Sequence, residues 1–184
     1  MNPYVSLIGY VSLMIASLFL IIFLVTCSVS FIKRKPFPKK LLTATIISFV
    51  IGFGVIGYTK YFFTFDNLDG ELYEGPVESP TEKYTANAYF KTYGGAAGGV
   101  NLWVDVTSHD SGEVKTIYHS DAKRTFSMEW KNEDTLYIKN ESLEFPNSNR
   151  SVELDVNHEI YHDSGLACQS WLMKNDYETC YQNE

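Results

Sequence analysis

The sequence predicts two kinds of structure in one chain: an N-terminal transmembrane helical hairpin, then a small all-β antiparallel domain, either a sandwich or a partly open barrel. Three observations carry this expectation. Residues 5–32 hold no charged side chain over 28 positions, and residues 41–59 repeat the pattern over 19. All 22 acidic residues lie after residue 65. Beyond residue 80, apolar side chains recur at every second position in several short stretches, the period of a strand whose successive side chains point to opposite faces.

A hydrocarbon core about 30 Å thick needs about 20 apolar residues at roughly 1.5 Å of rise each, and both runs reach that length. Beyond the second, Lys60 can extend to the interface, and Tyr61, Phe62, Phe63 and Phe65 suit the headgroup level. The helices are therefore expected at about 5–32 and 41–63, within a membrane unit of residues 1–65. A cleaved secretory signal is the competing reading of the first run. Such a signal carries positive charge before an apolar stretch of roughly 7–15 residues, whereas the first basic side chain here is Lys33, after the run. The stretch "LVTCS" around Cys27 suggests a lipid-attachment site, but Thr26 precedes the cysteine where a very small residue would be needed. Cys27 is read as a lipid-facing or helix-packing residue.

Residues 33–40, "KRKPFPKK", join the two runs. Pro36 and Pro38 oppose a continuous helix, and Lys33, Arg34, Lys35, Lys39 and Lys40 mark the loop as cytoplasmic, because short connections rich in Lys and Arg stay inside. A hairpin with its loop inside puts both ends outside, which predicts a two-pass cell-membrane protein with an extracytoplasmic C-terminal domain. Ser12 and Ala16 in the first run, and Ser48, Gly52 and Gly57 in the second, offer small-residue contacts. These contacts serve packing of the hairpin on itself or recruitment of a separate membrane partner.

Residues 66–184 hold the 22 acidic residues against nine Lys or Arg, a formal net charge of −13. Nucleic acid is excluded as a partner, because neutralising phosphates needs a basic stripe. In this domain Val100, Leu102, Val104 and Val106 alternate with Asn101, Trp103 and Asp105, placing four aliphatic side chains on one face of a strand. Residues 84–90, 114–119, 125–130, 135–139 and 151–156 read similarly. Turns are expected at "HDSGE" (109–113), "KNEDT" (131–135) and "PNSNR" (146–150). No long amphipathic helix is evident.

The glycine-rich segment "GGAAGG", residues 94–99, lacks both the lysine and the following helix that phosphate-binding loops require. Lying between two strand candidates, it reads as a flexible hairpin or bulge, with a ligand loop as the alternative. No cofactor is implied.

The phrases "PTEKYTANAY", "GGAAGG", "VKTIYHSD" and "FSMEWKNEDTLYI" occur in this order over about residues 70–140. Together they resemble an uncharacterised domain family of small membrane-anchored proteins from Bacillus-like Gram-positive bacteria. The resemblance implies a bacterial cell-surface location and no known catalytic residues. The phrases also resemble, more loosely, the strand-and-turn rhythm of propeller blades. At most two such units are present, where a closed propeller takes about four or more.

One stretch is enzyme-like. "HEIYH" places His158 and His162 four apart, with Glu159 between them, the literal pattern of a zinc protease in which two imidazoles hold the metal and the carboxylate activates its water. The chemistry needs a helix, where one turn brings both rings to one ion. In an extended strand they would stand roughly 13 Å apart, and the alternating "SVELDVN" before the motif, with Asp163, Ser164 and Gly165 after it, favours a strand or turn. Glu178 is the candidate third ligand.

His109 and His119 form no evident pair or triad. Tyr118, Trp103, Trp130 and Trp171 are candidates for a recognition groove or for the core. Asn140 and Asn149 sit in glycosylation-like sequons, which matter only in a eukaryotic secretory setting. Cys168 and Cys180 enclose "QSWLMKNDYET", and a structural disulfide is expected to close that terminal loop. Eleven intervening residues exclude the close CxxC arrangement of a redox-active pair.

Three functional classes stand open: a surface binding, sensing or accessory module with a membrane or cell-surface protein partner; a structural envelope-stress protein; and a zinc-dependent hydrolase built on Glu159, His158 and His162.

Overall fold

The computed structural model describes residues 3–66, 68–95 and 98–183, side chains of residues 3–6 apart. The chain divides into two units, Met1–Phe63 and Thr64–Glu184.

In the first unit the uncharged runs form helix α1, Pro3–Ile32, and helix α2, Lys39–Tyr61. Both are long and apolar enough to cross a bilayer, which supports a two-pass membrane topology. Pro38 stands at the N-cap of α2, where its missing N–H costs nothing, so Lys39 and Lys40 join the first helical turn instead of the loop. Ser17, Thr26, Ser28, Thr43 and Thr45 each donate their hydroxyl to the carbonyl four residues back at 2.7–3.1 Å. Hydroxyls satisfied in this way can face hydrocarbon without an orphaned donor. The helices meet where Gly52 faces Leu13: a Cβ at Gly52 would lie 2.5 Å from Leu13 Cδ2. Ala16 is buried as well. Gly57 faces open space, so of the small residues it takes no part in close packing. Met14 and Phe53 remain 74% and 62% exposed, as lipid-facing side chains do.

The second unit holds nine strands among the described residues: β1 (Glu71–Glu78), β2 (Tyr84–Tyr93), β3 (Gly99–Ser108), β4 (Val114–Asp121), β5 (Thr125–Trp130), β6 (Thr135–Glu141), β7 (Val152–Asp155), β8 (Glu159–His162) and β9 (Thr179–Tyr181). They make a six-stranded sheet in the order β1-β2-β3-β4-β8-β9 and a three-stranded sheet β5-β6-β7. The domain is not closed into a barrel, and its sheets are not propeller blades.

The expectation of a wholly antiparallel domain needs correction. β1 to β4 form an antiparallel meander, but β8 pairs parallel with β4, and β9 parallel with β8. Parallel neighbours require crossovers. The three-stranded sheet supplies the first crossover, and residues 163–178, with the short helix α3 (Leu166–Gln169), supply the second.

The core lies between the sheets. Leu102, Val104 and Val106 face it from β3, Ala86 and Ala88 from β2, and Met128, Leu136, Ile138 and Leu154 from the smaller sheet. Opposite Val104 and Asp105 the register shifts by one residue on β4, and this bulge turns both Ile117 and Tyr118 inward to full burial. Pro76 lies in β1, an edge strand, the position where a missing donor is tolerated. The chain reverses at all three expected places, through a turn at 109–111, a bend at 131–134 and a single 3₁₀ turn at Pro146–Ser148. The glycine-rich segment joins β2 to β3 as a hairpin connection, with Ala96 and Ala97 outside the described residues.

Candidate functional site

Two features of the second unit carry chemistry beyond packing. The first is a groove of about 590 Å³ at one end of the two-sheet layer, within the size range of small-molecule sites. Tyr73 of β1, Phe90 of β2, Val100 and Leu102 of β3, and Phe145 of the β6–β7 loop line it. Tyr73 packs edge-on against Phe90 and Phe126, with ring centroids 5.9 and 5.5 Å apart, which fixes the wall. Phe145 remains 66% exposed and its neighbour Leu143 87%, so the loop displays apolar side chains that the fold does not use.

The rim of this groove is basic in a domain that is otherwise acidic. Lys123 and Arg124 sit in the β4–β5 connection. The backbone N–H of Lys123 donates to Asn140 Oδ1 at 2.7 Å. Asn140 is itself fully buried, its amide donating to Tyr118 Oη at 2.8 Å and to the Asp121 carbonyl at 2.9 Å. A rigid core amide thus sets the position of the rim. Arg124 pairs with Glu144, and the Lys123 ammonium has no ion partner among the described residues.

The second feature lies on the outer face of the larger sheet. In register across four strands stand Tyr89, Trp103, His119 and His162. Tyr89 stacks on Trp103 at 5.9 Å, and the two imidazoles stack at 4.8 Å and 17°. Phe65 covers both imidazoles, its centroid 6.3 and 6.0 Å from theirs. Gly70 lies so close over Trp103 that a Cβ there would meet the indole at 2.2 Å. Burial pushes His119 down to about 4 and, with the neighbouring imidazole adding to it, His162 down to about 3. Asp121 and Asp163 pull His119 in the opposite direction. Both rings are neutral near pH 7.

The residues of the "HEIYH" stretch are dispersed to separate tasks. Glu159, Tyr161 and His162 lie on the extended strand β8. Glu159 accepts from the Asp155 N–H and from Tyr181 Oη, each at 2.8 Å. His158 stands 3.1 Å from the Glu178 carboxylate, and His162 is buried in the stack. Among the described residues no group of three or more His, Cys, Asp or Glu is placed to hold a metal ion. Cys168 and Cys180 form the expected disulfide, with Cα atoms 5.3 Å apart.

His109, in the β3–β4 turn, bonds the hydroxyl of Thr85 in β2. Of the aromatic candidates, Trp103 and Tyr118 are buried on opposite faces of the larger sheet, Trp130 donates to the Val77 carbonyl at 3.1 Å, and Trp171 is exposed, so they form no common groove. Asn140 is a core residue and no accessible glycosylation acceptor.

The groove residues were not anticipated from sequence. The available signal was Leu143 and Phe145 in a loop otherwise composed of Ser, Glu, Pro, Asn and Arg.

A hairpin of membrane-length helices followed by a two-layered β domain defines the class of protein. Within that class, residues 38–155 match the profile of DUF5412, a family of unknown function, and the chain belongs to that family. The match takes in α2 and every strand from β1 to β7, and it extends beyond the phrases that first suggested such kinship. It carries no statement of organism. No curated protein and no solved structure matches the chain.

Proposed function

We propose that the protein is a membrane-anchored, extracytoplasmic binding module whose site is the groove beneath Phe145. The observation that carries this reading is the groove itself: a wall of aromatic side chains left partly open, beside two cations in a domain of net charge −13. Energetically, a folded domain gains by covering Phe145 and Leu143; leaving them exposed is the pattern of a surface that another molecule covers. Two features support placement outside. The five basic residues of the 33–40 segment favour a cytoplasmic loop, and a structural disulfide suits an oxidising compartment. The acidic surface of the domain argues against nucleic acid as the occupant.

The test is site-specific photocrosslinking in native membranes. A benzophenone side chain replaces Ser148, which lines the groove, or Asp110, which lies in the remote β3–β4 turn. The binding-module reading expects an adduct of defined mass from position 148 and none from position 110. Absence of any adduct at 148, or equal adducts at both, removes the reading.

A further inference from the structure

Resting on that reading, we propose that the occupant of the groove is a membrane lipid with an anionic headgroup, one acyl chain lying along Tyr73, Phe90 and Phe145 and the headgroup meeting Lys123.

Four observations converge on this ligand class. The apolar lining comes mainly from the strands, through Tyr73, Phe90, Val100 and Leu102, which suits a hydrocarbon chain, whereas the polar lining, Lys123, Arg124, Ser142, Glu144 and Ser148, lies on the β4–β5 and β6–β7 connections. A peptide added as a strand would need a regular edge, yet β1, the edge strand of the larger sheet, has register shifts at two places and carries Pro76. The charge at the rim is of the wrong sign for the domain but the right sign for phosphate. The Arg124–Glu144 pair is neutral as a unit, leaving the Lys123 ammonium to select an anion. Finally, nine residues separate α2 from β1, so the chain reaches at most about 35 Å between them. The domain cannot leave the neighbourhood of the bilayer that supplies the ligand.

The acidic surface makes the local cation consequential. A domain of net charge −13 is repelled by an anionic leaflet, and Lys123 offers one point at which an anionic headgroup is favoured. A basic side chain near such a headgroup contributes a factor of about five in affinity.

The experiment uses the full chain with Cys27→Ser, reconstituted in nanodiscs. A polarity-sensitive fluorophore is attached through Ser148→Cys, and the lipid is phosphatidylcholine doped with a nitroxide-tailed lipid whose headgroup is either phosphatidylglycerol or phosphatidylcholine. Occupation by an anionic lipid gives quenching about fivefold more effective for the phosphatidylglycerol probe. Lys123→Gln removes the preference while leaving the fold intact, because the backbone N–H of residue 123, not its side chain, bonds Asn140. A fluorophore placed through Asp110→Cys reports bare contact with the bilayer and should be quenched by neither probe.

Equal quenching by the two probes at position 148 overturns headgroup selection. Absence of quenching at 148, or the same quenching at 110, overturns the lipid altogether. A protein adduct in the photocrosslinking experiment also overturns it, while the binding-module reading stands.

Discussion

The two faces of the six-stranded sheet are buried by different means, and the difference explains what each can do. The inner face carries Ala86, Ala88, Leu102, Val104 and Val106 against the second sheet. Its burial is regular, apolar and set by strand periodicity. The outer face carries Tyr89, Trp103, His119 and His162 in one row, together with Asp105, which accepts from Thr116 Oγ1 at 2.6 Å. Irregular chain covers this face: Phe65 and Gly70 before β1, and residues such as Tyr177 in the disulfide-closed crossover. Polar and titratable groups survive there because the cover brings hydrogen bonds and stacking as well as burial. The inner face supplies stability, and the outer face makes part of that stability conditional on pH and on redox state.

Substitutions separate the two. Leu102→Ala on the inner face should cost about 2–5 kcal/mol, since a fully buried side chain leaves a cavity; chemical denaturation of the full chain should show the shift, and a loss below about 1 kcal/mol would mean that this face is not the principal core. On the outer face, Cys168→Ser with Cys180→Ser should cost about 3 kcal/mol for a loop of this size. Hydrogen exchange in that variant should rise in residues 163–181 and stay unchanged in β2 and β3. A uniform rise would contradict the division into faces.

Acid should act through the same outer face. His119 and His162 titrate in the folded chain at about 4 and about 3, below their ordinary 6.5, so the unfolded chain takes up protons first. Their contribution is complete above about pH 6.5 and is lost as pH falls towards 4, on the order of 2 kcal/mol per imidazole by pH 5. Asp105, pushed up by burial, has the opposite sign, since its protonation relieves a cost of folding. His119→Phe should flatten the dependence between pH 6.5 and 5, and an unchanged slope would show that other groups carry it. Smaller still, Phe65→Ala should cost about 1 kcal/mol by removing the ring that stacks on both imidazoles. It should also make the acid dependence shallower, because re-solvating the pair brings both imidazoles back towards their ordinary 6.5 and shrinks their difference from the unfolded chain.

How much of this was readable from sequence follows the same division. The helices and the inner face were, because uncharged runs and strict alternation are local signals: residues 100–106 named the strand and its buried side together. The strands that escaped are β1, whose pattern Gly75 and Pro76 interrupt, and β9, which runs only three residues, while the four residues of β8 were legible only as strand or turn. The parallel pairing of β8 with β4 is a non-local choice, and it determines the fate of "HEIYH". Once Tyr161 and His162 pair with Tyr118 and His119, the motif is extended and His162 becomes part of a stack. The groove eluded prediction for a related reason: Tyr73, Phe90, Lys123 and Phe145 lie up to 72 residues apart in the chain, and only the closure of the two sheets brings them together. The disulfide could be anticipated because only three cysteines exist and one lies in a membrane run.

The proposed site and its ligand depend most on the side of the membrane that the β domain occupies. The direct measurement is labelling of Cys168 and Cys180 with a membrane-impermeant thiol reagent on intact cells, with and without prior reduction, in the Cys27→Ser background and with permeabilised cells as the accessibility control. Labelling after reduction and without permeabilisation is the expected result, and it would place the domain and its disulfide outside. Labelling that requires permeabilisation whatever the reductant would put the domain in the cytoplasm and contradict the proposed topology.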